Sequence, residues 1–292
     1  MAAPSHCFVC ASPIPSAPGP YVRCPGCGHR HATASDLSGV VVNEELSRSR
    51  ATRQDGLTRT QVDLARRLAP ARGSLLDVGC GTGKFLYHAR EHFDRLVGVE
   101  VSEPSVQFAT TELGLEVRRD VADTTGPFDI ITTWHALEHI PGPVLPPLFR
   151  ALRSRCLPDG RVIVCVPNPD SLPARWLESR WAFRDVGAHL HEFSRRSLDT
   201  LLAAAGFRPE SDERIFAYTV FAWVQTLANL APLSHNYLYY RLKRGVDFGQ
   251  GLTADLLAAL SLAFALPLGT MLAFAEHWWV KERAVHTVVY RP

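Results

Sequence analysis

The stretch Leu75-Leu76-Asp77-Val78-Gly79-Cys80-Gly81-Thr82-Gly83-Lys84-Phe85 decides the fold of this chain. Its apolar start predicts a buried strand of a parallel sheet. The glycines that follow predict a tight turn whose backbone a ligand can approach, because glycine adopts positive φ without strain. A helix that begins near Lys84 would point free N–H groups into that turn. The stretch therefore predicts a strand, a ligand-binding turn and a helix.

Two common nucleotide-binding motifs do not match this turn. A P-loop has four residues between its glycines and then Lys followed by Ser or Thr. Here Gly79 and Gly83 bracket three residues, and Phe85 follows Lys84. A dinucleotide-binding fingerprint has the pattern G-x-G-x-x-G, for which Gly83 comes one residue too early. The turn is therefore neither a P-loop nor a dinucleotide-binding fingerprint.

An acidic residue ends the next apolar strand, Leu96-Val97-Gly98-Val99-Glu100. The Asp-Val-Gly-Cys-Gly-Thr-Gly turn and this acid together resemble the class I S-adenosylmethionine-dependent methyltransferases. The resemblance implies that the turn passes under the methionine part of the cofactor and that Glu100 accepts hydrogen bonds from both ribose hydroxyls. A carboxylate suits that task because it has two acceptor oxygens and no donor.

The resemblance implies a wider cofactor site at the ends of the first four strands. Its residues are Asp77, Gly79, Cys80, Gly81, Gly83, Glu100, Val101, Asp120, Val121 and Trp134. By the same resemblance, Asp120 would bond the adenine amino group and Val121 would meet the ring edge. Asp123 is an alternative to Asp120 for that role.

The composition is that of an ordinary globular protein. The chain has 292 residues, of which 46% are hydrophobic and 21% charged, and its formal net charge is +2. So small a charge gives no general attraction to nucleic acid. No basic and apolar leader opens the chain, so we expect no signal peptide. Seven cysteines without such a leader favour a reducing, cytoplasmic compartment.

Four cysteines form two Cys-x-x-Cys pairs near the start of the chain: Cys7, Cys10, Cys24 and Cys27. Thiolates at this spacing can hold a tetrahedral Zn²⁺. A segment this small has almost no core, so metal binding would supply its folding free energy. We therefore expect a zinc-ribbon-like module over 1–36 with a structural zinc ion. The nearby His6, His29 and His31 are not expected to be ligands.

Strands alternate with helices over the middle of the chain, which predicts a doubly wound, mostly parallel, seven-stranded α/β sheet of the Rossmann-like methyltransferase type. A linker and an amphipathic helix, Leu57–Leu68, occupy 37–73, and the core occupies 74–214 and 284–292. The predicted strands are 75–78, 95–100, 116–118, 128–133, 161–166, 208–214 and 284–290, with a turn at 157–160. The segment 167–207 is the expected lid.

The segment Trp134–His139 follows the fourth predicted strand, at the ligand-binding edge of the sheet. Its pattern, Trp-His-x-Leu-Glu-His, resembles a group of bacterial methyltransferases. It is also similar to the quinone-biosynthesis O-methyltransferases, in which an acid three residues before Glu-His helps to bind a divalent metal. Here His135 replaces that acid. Three interpretations stay open: a divalent metal in the active site, bracing of the helix start by Glu138 and His139, and His135 as general base.

A second candidate catalytic residue lies in Ala188-His189-Leu190-His191-Glu192-Phe193-Ser194. This segment resembles a His-Leu-x-x-Phe-Ser segment that lines the acceptor pocket in the same family. The resemblance implies that His189 acts as base or orients the acceptor. A structural hydrogen bond is the alternative.

The segment 215–283 is far longer than a hairpin between the last two strands needs. It contains two charge-free apolar stretches, 215–233 and 256–275, and Pro267 and Gly269 interrupt the second. Each stretch approaches transmembrane length. We favour an apolar helical hairpin that dips into one leaflet, because a full crossing would carry basic residues through the membrane. A soluble cap over the acceptor pocket, a homodimer interface and transmembrane passage are the alternatives.

The expected activity is S-adenosylmethionine-dependent methyl transfer, with oxygen favoured as the acceptor atom. The apolar insertion favours a small-molecule, lipid-linked or glycan acceptor at the inner face of a membrane. One alternative is a ribosomal-RNA guanine methyltransferase, which has a similar four-cysteine module. The sequence does not favour this alternative, because it shows no strongly basic face that would bind RNA. Two further alternatives are a natural-product sugar methyltransferase and a zinc-ribbon interaction protein on an inactive methyltransferase fold.

Overall fold

The computed structural model describes residues 5–33, 46–186, 188–244 and 249–292. They belong to two compact units. Unit 1 comprises Met1–Val166, Val186–Glu213 and His286–Pro292. Unit 2 comprises Pro167–Asp185 and Arg214–Val285.

Unit 1 begins with a small antiparallel sheet. Its first two strands are β1 (Tyr21–Arg23) and β2 (Arg30–Ala32), and the much later β8 (His191–Glu192) pairs with the other edge of β2. His31 lies opposite His191, and Arg30 lies opposite Glu192, with which it forms an ion pair at 3.0 Å. The segment that carries His189 is therefore fixed directly to the cysteine-bearing hairpin.

Two helices precede the main sheet. They are α1 (Arg48–Thr52) and α2 (Gly56–Leu68). The carboxylate of Asp55 caps α2 by accepting a hydrogen bond from the backbone N–H of Thr58, which satisfies one of the unpaired donors of the first turn. The predicted amphipathic helix is thus confirmed.

The main sheet of unit 1 has seven strands in the order β5-β4-β3-β6-β7-β10-β9. They are β3 (Arg72–Val78), β4 (Phe93–Val99), β5 (Val117–Arg118), β6 (Phe128–Trp134), β7 (Cys156–Pro167), β9 (Arg208–Asp212) and β10 (Val285–Arg291). The pairs β3–β4, β3–β6, β4–β5 and β6–β7 are parallel, and β9 and β10 are antiparallel. The predicted fold class is confirmed. The strand order reverses between β3 and β6, where sheets of this kind bind ligands.

Four further helices of unit 1 are α3 (Lys84–Ala89), α4 (Glu103–Thr111), α5 (Leu145–Arg155) and α7 (Arg195–Ala203). Neighbouring residues of β3 and β6 belong to two different clusters of buried side chains. Leu75 and Ile130 lie in one cluster, and Leu76 and Ile131 lie in the other. Since successive side chains of a strand point to opposite faces, both faces of the sheet are covered. This explains the continuous apolar runs in the sequence.

The predicted start of the fifth parallel strand is wrong. β7 begins at Cys156, so the expected turn at 157–160 lies inside the strand. Cys156 pairs with Phe128, whereas Arg161 pairs with Ile130, and the register shifts between these pairs. The turn-forming residues therefore produce an irregularity in a longer strand, because pairing with β6 resumes on both sides of it.

Unit 2 is helical. Its helices are α6 (Leu172–Leu177), α8 (Phe216–Ala228), α9 (Tyr237–Arg244) and α10 (Gly251–Trp279). The expected interruption of the second apolar stretch is wrong, since α10 continues through Pro267 and Gly269. Among the described helices, α10 is the one with enough length and apolar composition to cross a membrane.

Candidate active site

The turn between β3 and α3 has a backbone that only glycine fits. Gly79, Gly81 and Gly83 have φ of 76°, 53° and 81°. A Cβ on Gly79 would lie 2.4 Å from the Cβ of Ala136, and one on Gly83 would lie 2.5 Å from Cδ1 of Leu115. Positive φ and lack of space both require glycine here. The turn thus presents bare backbone at the carboxyl end of the first parallel strand.

The carboxylate of Glu100 lies against this turn. Oε2 accepts a hydrogen bond from the backbone N–H of Gly81 at 2.9 Å, and Oε1 accepts one from the N–H of Ser102 at 2.8 Å. The side chain is thereby held at the end of β4 while its remaining lone pairs can accept hydrogen bonds from a ligand. The next side chain, Val101, is 71% exposed.

Asp77 is buried just before the glycine turn. Its Oδ1 accepts a hydrogen bond from Oγ1 of Thr132 on β6 at 2.7 Å. Burial raises the pKa of Asp77 to about 7; the hydrogen bond from Thr132 opposes this rise, and the negative charge of Glu100 adds to it. Asp77 therefore titrates near neutral pH.

The remaining residues of the expected cofactor site lie at neighbouring strand ends. Asp120 is exposed after β5, where its Oδ1 accepts a hydrogen bond from the N–H of Ala122 at 2.8 Å. The side chain of Val121 is buried in the core. The ring of Trp134 packs edge-to-face on Phe85, and its Nε1–H has no hydrogen-bond partner among the described residues. Trp134 thus places a buried, unpaired donor at the end of β6.

His135 has positive φ, 51°, and lies between two acidic groups. Its Nδ1 lies 3.3 Å from Oε1 of Glu138, and its Nε2 lies 3.7 Å from Sγ of Cys165. Burial alone would lower the pKa of His135, but Cys165 and Glu138 outweigh burial and raise it to about 10. Burial likewise opposes ionisation of Glu138, yet His135 lowers the pKa of Glu138 to about 2. The two side chains form a buried ion pair at neutral pH.

Glu138 also belongs to a group of side chains that could ligate a metal ion. Side-chain donor atoms of Glu138, His139 and His189 lie within 4.8 Å of one another. Nδ1 of His139 donates a hydrogen bond to the carbonyl oxygen of Ala188 at 2.9 Å, which directs Nε2 away from that carbonyl. Oε2 of Glu138 is buried and has no hydrogen-bond partner among the described residues. An unsatisfied carboxylate oxygen beside two imidazoles fits a divalent cation.

The four N-terminal cysteines converge on one point. Sγ of Cys7 lies 3.6 Å from that of Cys27, and Sγ of Cys10 lies 3.5 Å from that of Cys24. All four sulfur atoms lie within 4.8 Å of one another. Among the described residues, Val9 and Ile14 pack against this cluster. The donor set fits tetrahedral zinc with no position left for a substrate.

Two nearby histidines have a structural role that the sequence did not reveal. Nε2 of His31 lies 3.4 Å from Sγ of Cys7, and Nε2 of His29 lies 3.2 Å from Nδ1 of His191. Nε2 of His191 donates to the carbonyl oxygen of Ile140, which leaves Nδ1 as the acceptor for His29. The cysteine module is thereby tied to the segment of His189. No sequence spacing connects residues so far apart.

Comparisons with known proteins identify the family of this chain. The sequence model of the family described as "Methyltransferase domain" matches residues 50–212. A ubiquinone biosynthesis O-methyltransferase from Xanthomonas axonopodis pv. citri is 30% identical over 112 residues, which are 35% of this chain and 46% of that protein. The match thus spans about half the length of this relative.

Solved structures share the fold. The cyclopropane synthase MmaA2 from Mycobacterium tuberculosis superposes with a TM-score of 0.50 at 16% identity, covering 80% of this chain and 84% of that one. The mycolic acid cyclopropane synthase CmaA1, complexed with SAH and CTAB, superposes with a TM-score of 0.55 at 15% identity, covering 88% and 98%. At these identities the likeness shows the fold alone.

The raised pKa of Asp77 predicts a pH-dependent loss of stability. Between pH 5 and 7 the folded protein retains a proton at Asp77 that the unfolded chain releases, so this group contributes less stability as pH rises. Asp77→Asn cannot ionise and keeps an acceptor for Thr132. In urea unfolding, its stability relative to wild type should rise by up to about 1.4 kcal/mol per pH unit up to pH 7 and then level off. A pH-independent difference would contradict the assignment.

Proposed function

The chain belongs to the methyltransferase domain family, and we propose that it transfers a methyl group from S-adenosylmethionine to an oxygen of a small-molecule, lipid-linked or glycan acceptor in the cytoplasm. The observation that carries the proposal is the carboxylate of Glu100 hydrogen-bonded to the glycine turn at the strand-order reversal. Ligands bind at this edge of such sheets.

The cofactor contacts follow from the groups left available there. Glu100 would accept hydrogen bonds from the ribose hydroxyls, and the bare backbone of Gly79–Gly83 would support the methionine part. Asp120 and Val121 would meet the adenine, Val121 through its backbone because its side chain is buried. Trp134 offers its unpaired Nε1–H at the same edge. The carboxylate of Asp77, just below the turn, favours a positively charged ligand.

S-adenosylmethionine supplies an electrophilic methyl group when bound, so the protein's own tasks are alignment, exclusion of water and removal of the acceptor proton. Of the two expected bases, His135 holds its proton more tightly than an ordinary histidine, because Cys165 and Glu138 raise its pKa. We assign the base to His189. The negative charge of Glu138 lies close to His189 and would stabilise the imidazolium that forms.

A second role for the same residues is favoured by the unsatisfied Oε2 of Glu138. Glu138, His139 and His189 would hold a divalent cation. Such a cation would lower the pKa of an acceptor hydroxyl and so replace the base.

We further propose that Cys7, Cys10, Cys24 and Cys27 hold a structural zinc ion. The contacts of the module with β8 would then make zinc necessary for the position of the His189 segment. This role is structural, since four thiolates fill the coordination shell.

The assignment of Glu100 predicts a loss of cofactor affinity. Glu100→Gln removes the charge and one acceptor, so the Kd for S-adenosylmethionine should rise at least about tenfold, the cost of one or two charged hydrogen bonds. Isothermal titration calorimetry measures this. Glu116→Gln, an exposed acid next to β5, is the matched control and should leave the Kd unchanged. Equal affinities of wild type and Glu100→Gln would refute the role.

The reaction itself is tested with methyl-labelled cofactor and cell extract. Label should enter a lipid, glycan or small-molecule fraction, and His189→Gln should lower the rate about 100-fold or more while cofactor affinity stays unchanged. His92→Gln, at an exposed histidine, is the control. A chelator-sensitive rate restored by Mg²⁺ or Mn²⁺ would assign the cation role instead. Label found only in RNA, or none at all, would contradict the proposed function.

The zinc proposal predicts one zinc ion per chain by elemental analysis. Cys27→Ser should lose that ion and unfold the module, because the segment has little other core. Cys156→Ser, at a buried cysteine remote from the cluster in sequence, should keep the zinc. Purified wild-type protein that holds no zinc, and whose thermal unfolding a chelator does not change, would contradict the proposal.

A further inference from the structure

One side of α10 in unit 2 is a long apolar surface. Seven large apolar side chains are exposed along it at spacings of three, four or seven residues, and they define the apolar face: Leu252, Leu256, Leu260, Phe264, Met271, Phe274 and Trp278. Such spacings place them on one side of the helix. Their span corresponds to about 40 Å of helix. No residue from Leu256 to Ala275 is charged.

On the opposite side of α10, the fully buried positions are mostly small residues. The buried positions are Ala254, Ala258, Ala265, Gly269 and Ala273, together with Glu276. A Cβ on Gly269 would lie 2.8 Å from the backbone nitrogen of Val224, so α8 and α10 approach closely there. A helix in water buries its large apolar side chains and exposes small or polar ones. α10 does the reverse, as helix pairs in lipid do.

The polar groups of the helix pair are also turned inward. Glu276 is 1% exposed, and its Oε2 accepts a hydrogen bond from Nε1 of Trp223 on α8 at 2.6 Å. On the exposed side, the hydroxyl of Thr270 donates to the carbonyl oxygen of Leu266. In the most apolar part of α10, only 22% of the helix is buried. A core helix of a soluble protein is mostly buried instead. The apolar face therefore lacks polar groups that water or a protein partner would use.

Aromatic and basic side chains border the apolar face at its C-terminal end. Trp278 and Trp279 are 61% and 78% exposed. Lys281 follows in an exposed position, and Arg214 donates to the carbonyl oxygen of His277 at 3.0 Å. Tryptophan beside lysine and arginine is the composition found at the headgroup layer of a membrane. Basic side chains there are attracted to anionic lipid.

We propose that the apolar face of α10 docks the protein on an anionic membrane, with the helix lying in the plane of one leaflet. The helix pair does not cross the bilayer, because α8, on which α10 packs, has 13 residues and is too short to span it. A second copy of the chain fits less well, since specific interfaces use hydrogen bonds and this face offers almost none. The inference goes beyond methyl transfer and holds whichever acceptor is used.

Vesicle flotation of the full-length protein tests the proposal. Wild type should float with phosphatidylcholine vesicles that contain phosphatidylglycerol and should bind pure phosphatidylcholine more weakly. Leu260→Glu/Phe264→Glu should lower binding at least about tenfold, because each side chain loses its burial in lipid. Leu46→Glu/Val144→Glu replaces two exposed apolar residues outside α10 and should bind as wild type does. Cofactor titration should give the same Kd for all three proteins, which separates this test from that of the proposed function.

Three outcomes would overturn the proposal. The first is wild type that does not float, and the second is a Leu260→Glu/Phe264→Glu variant that floats equally well. The third is a wild-type dimer by light scattering that the same variant converts to a monomer without any vesicle binding, which would make the face a contact between copies. If Leu260→Glu/Phe264→Glu is unfolded, a second variant, Trp278→Phe/Trp279→Phe, is used in its place. Lipid with brominated acyl chains should quench the tryptophan fluorescence of wild type more than that of the second variant. Equal quenching of the two proteins would count against docking.

Discussion

A hydrogen bond from the backbone N–H of Gly81 to the carboxylate of Glu100 joins the first two parallel strands at their carboxyl ends. The backbone N–H groups of Gly79 and Cys80 reinforce this connection by donating to the carbonyl oxygen of Val99. The turn can approach β4 so closely because it has no side chain at its glycines. The same connection holds an acceptor carboxylate beside bare backbone. Fold and cofactor site therefore depend on one local arrangement.

One carboxylate and three imidazole rings form the neighbouring group of polar side chains. Glu138 is paired with His135 on one side and lies beside His139 and His189 on the other. The pairing favours the protonated form of His135. The four-cysteine module lies close to this group through β8, because the strand that follows His189 pairs with the module's own hairpin. A zinc ion there would hold the segment of His189 in place.

Local patterns predicted the central strands β3 and β6 well because these strands are apolar and covered on both faces. Short motifs were identifiable for a different reason, which is that their residues lie close together in the sequence. They are the glycine turn, the strand that ends at Glu100, and the two cysteine pairs. Two contacts could not be identified from the sequence, because they join residues distant in the chain. They are the contact of His135 with Cys165 and that of His29 with His191. The start of β7 and the continuity of α10 were mispredicted. In both cases, pairing with β6 or packing on α8 overrides the local preference of turn residues or proline.

A crystal structure of the protein with S-adenosylhomocysteine is the most direct test of the central claim. The account predicts that the ribose lies at the carboxyl end of β4, with both hydroxyls within hydrogen-bond distance of the Glu100 carboxylate and the amino-acid part over Gly79–Gly83. A ribose bound away from Glu100, or a glycine turn that makes no contact with the ligand, would contradict it.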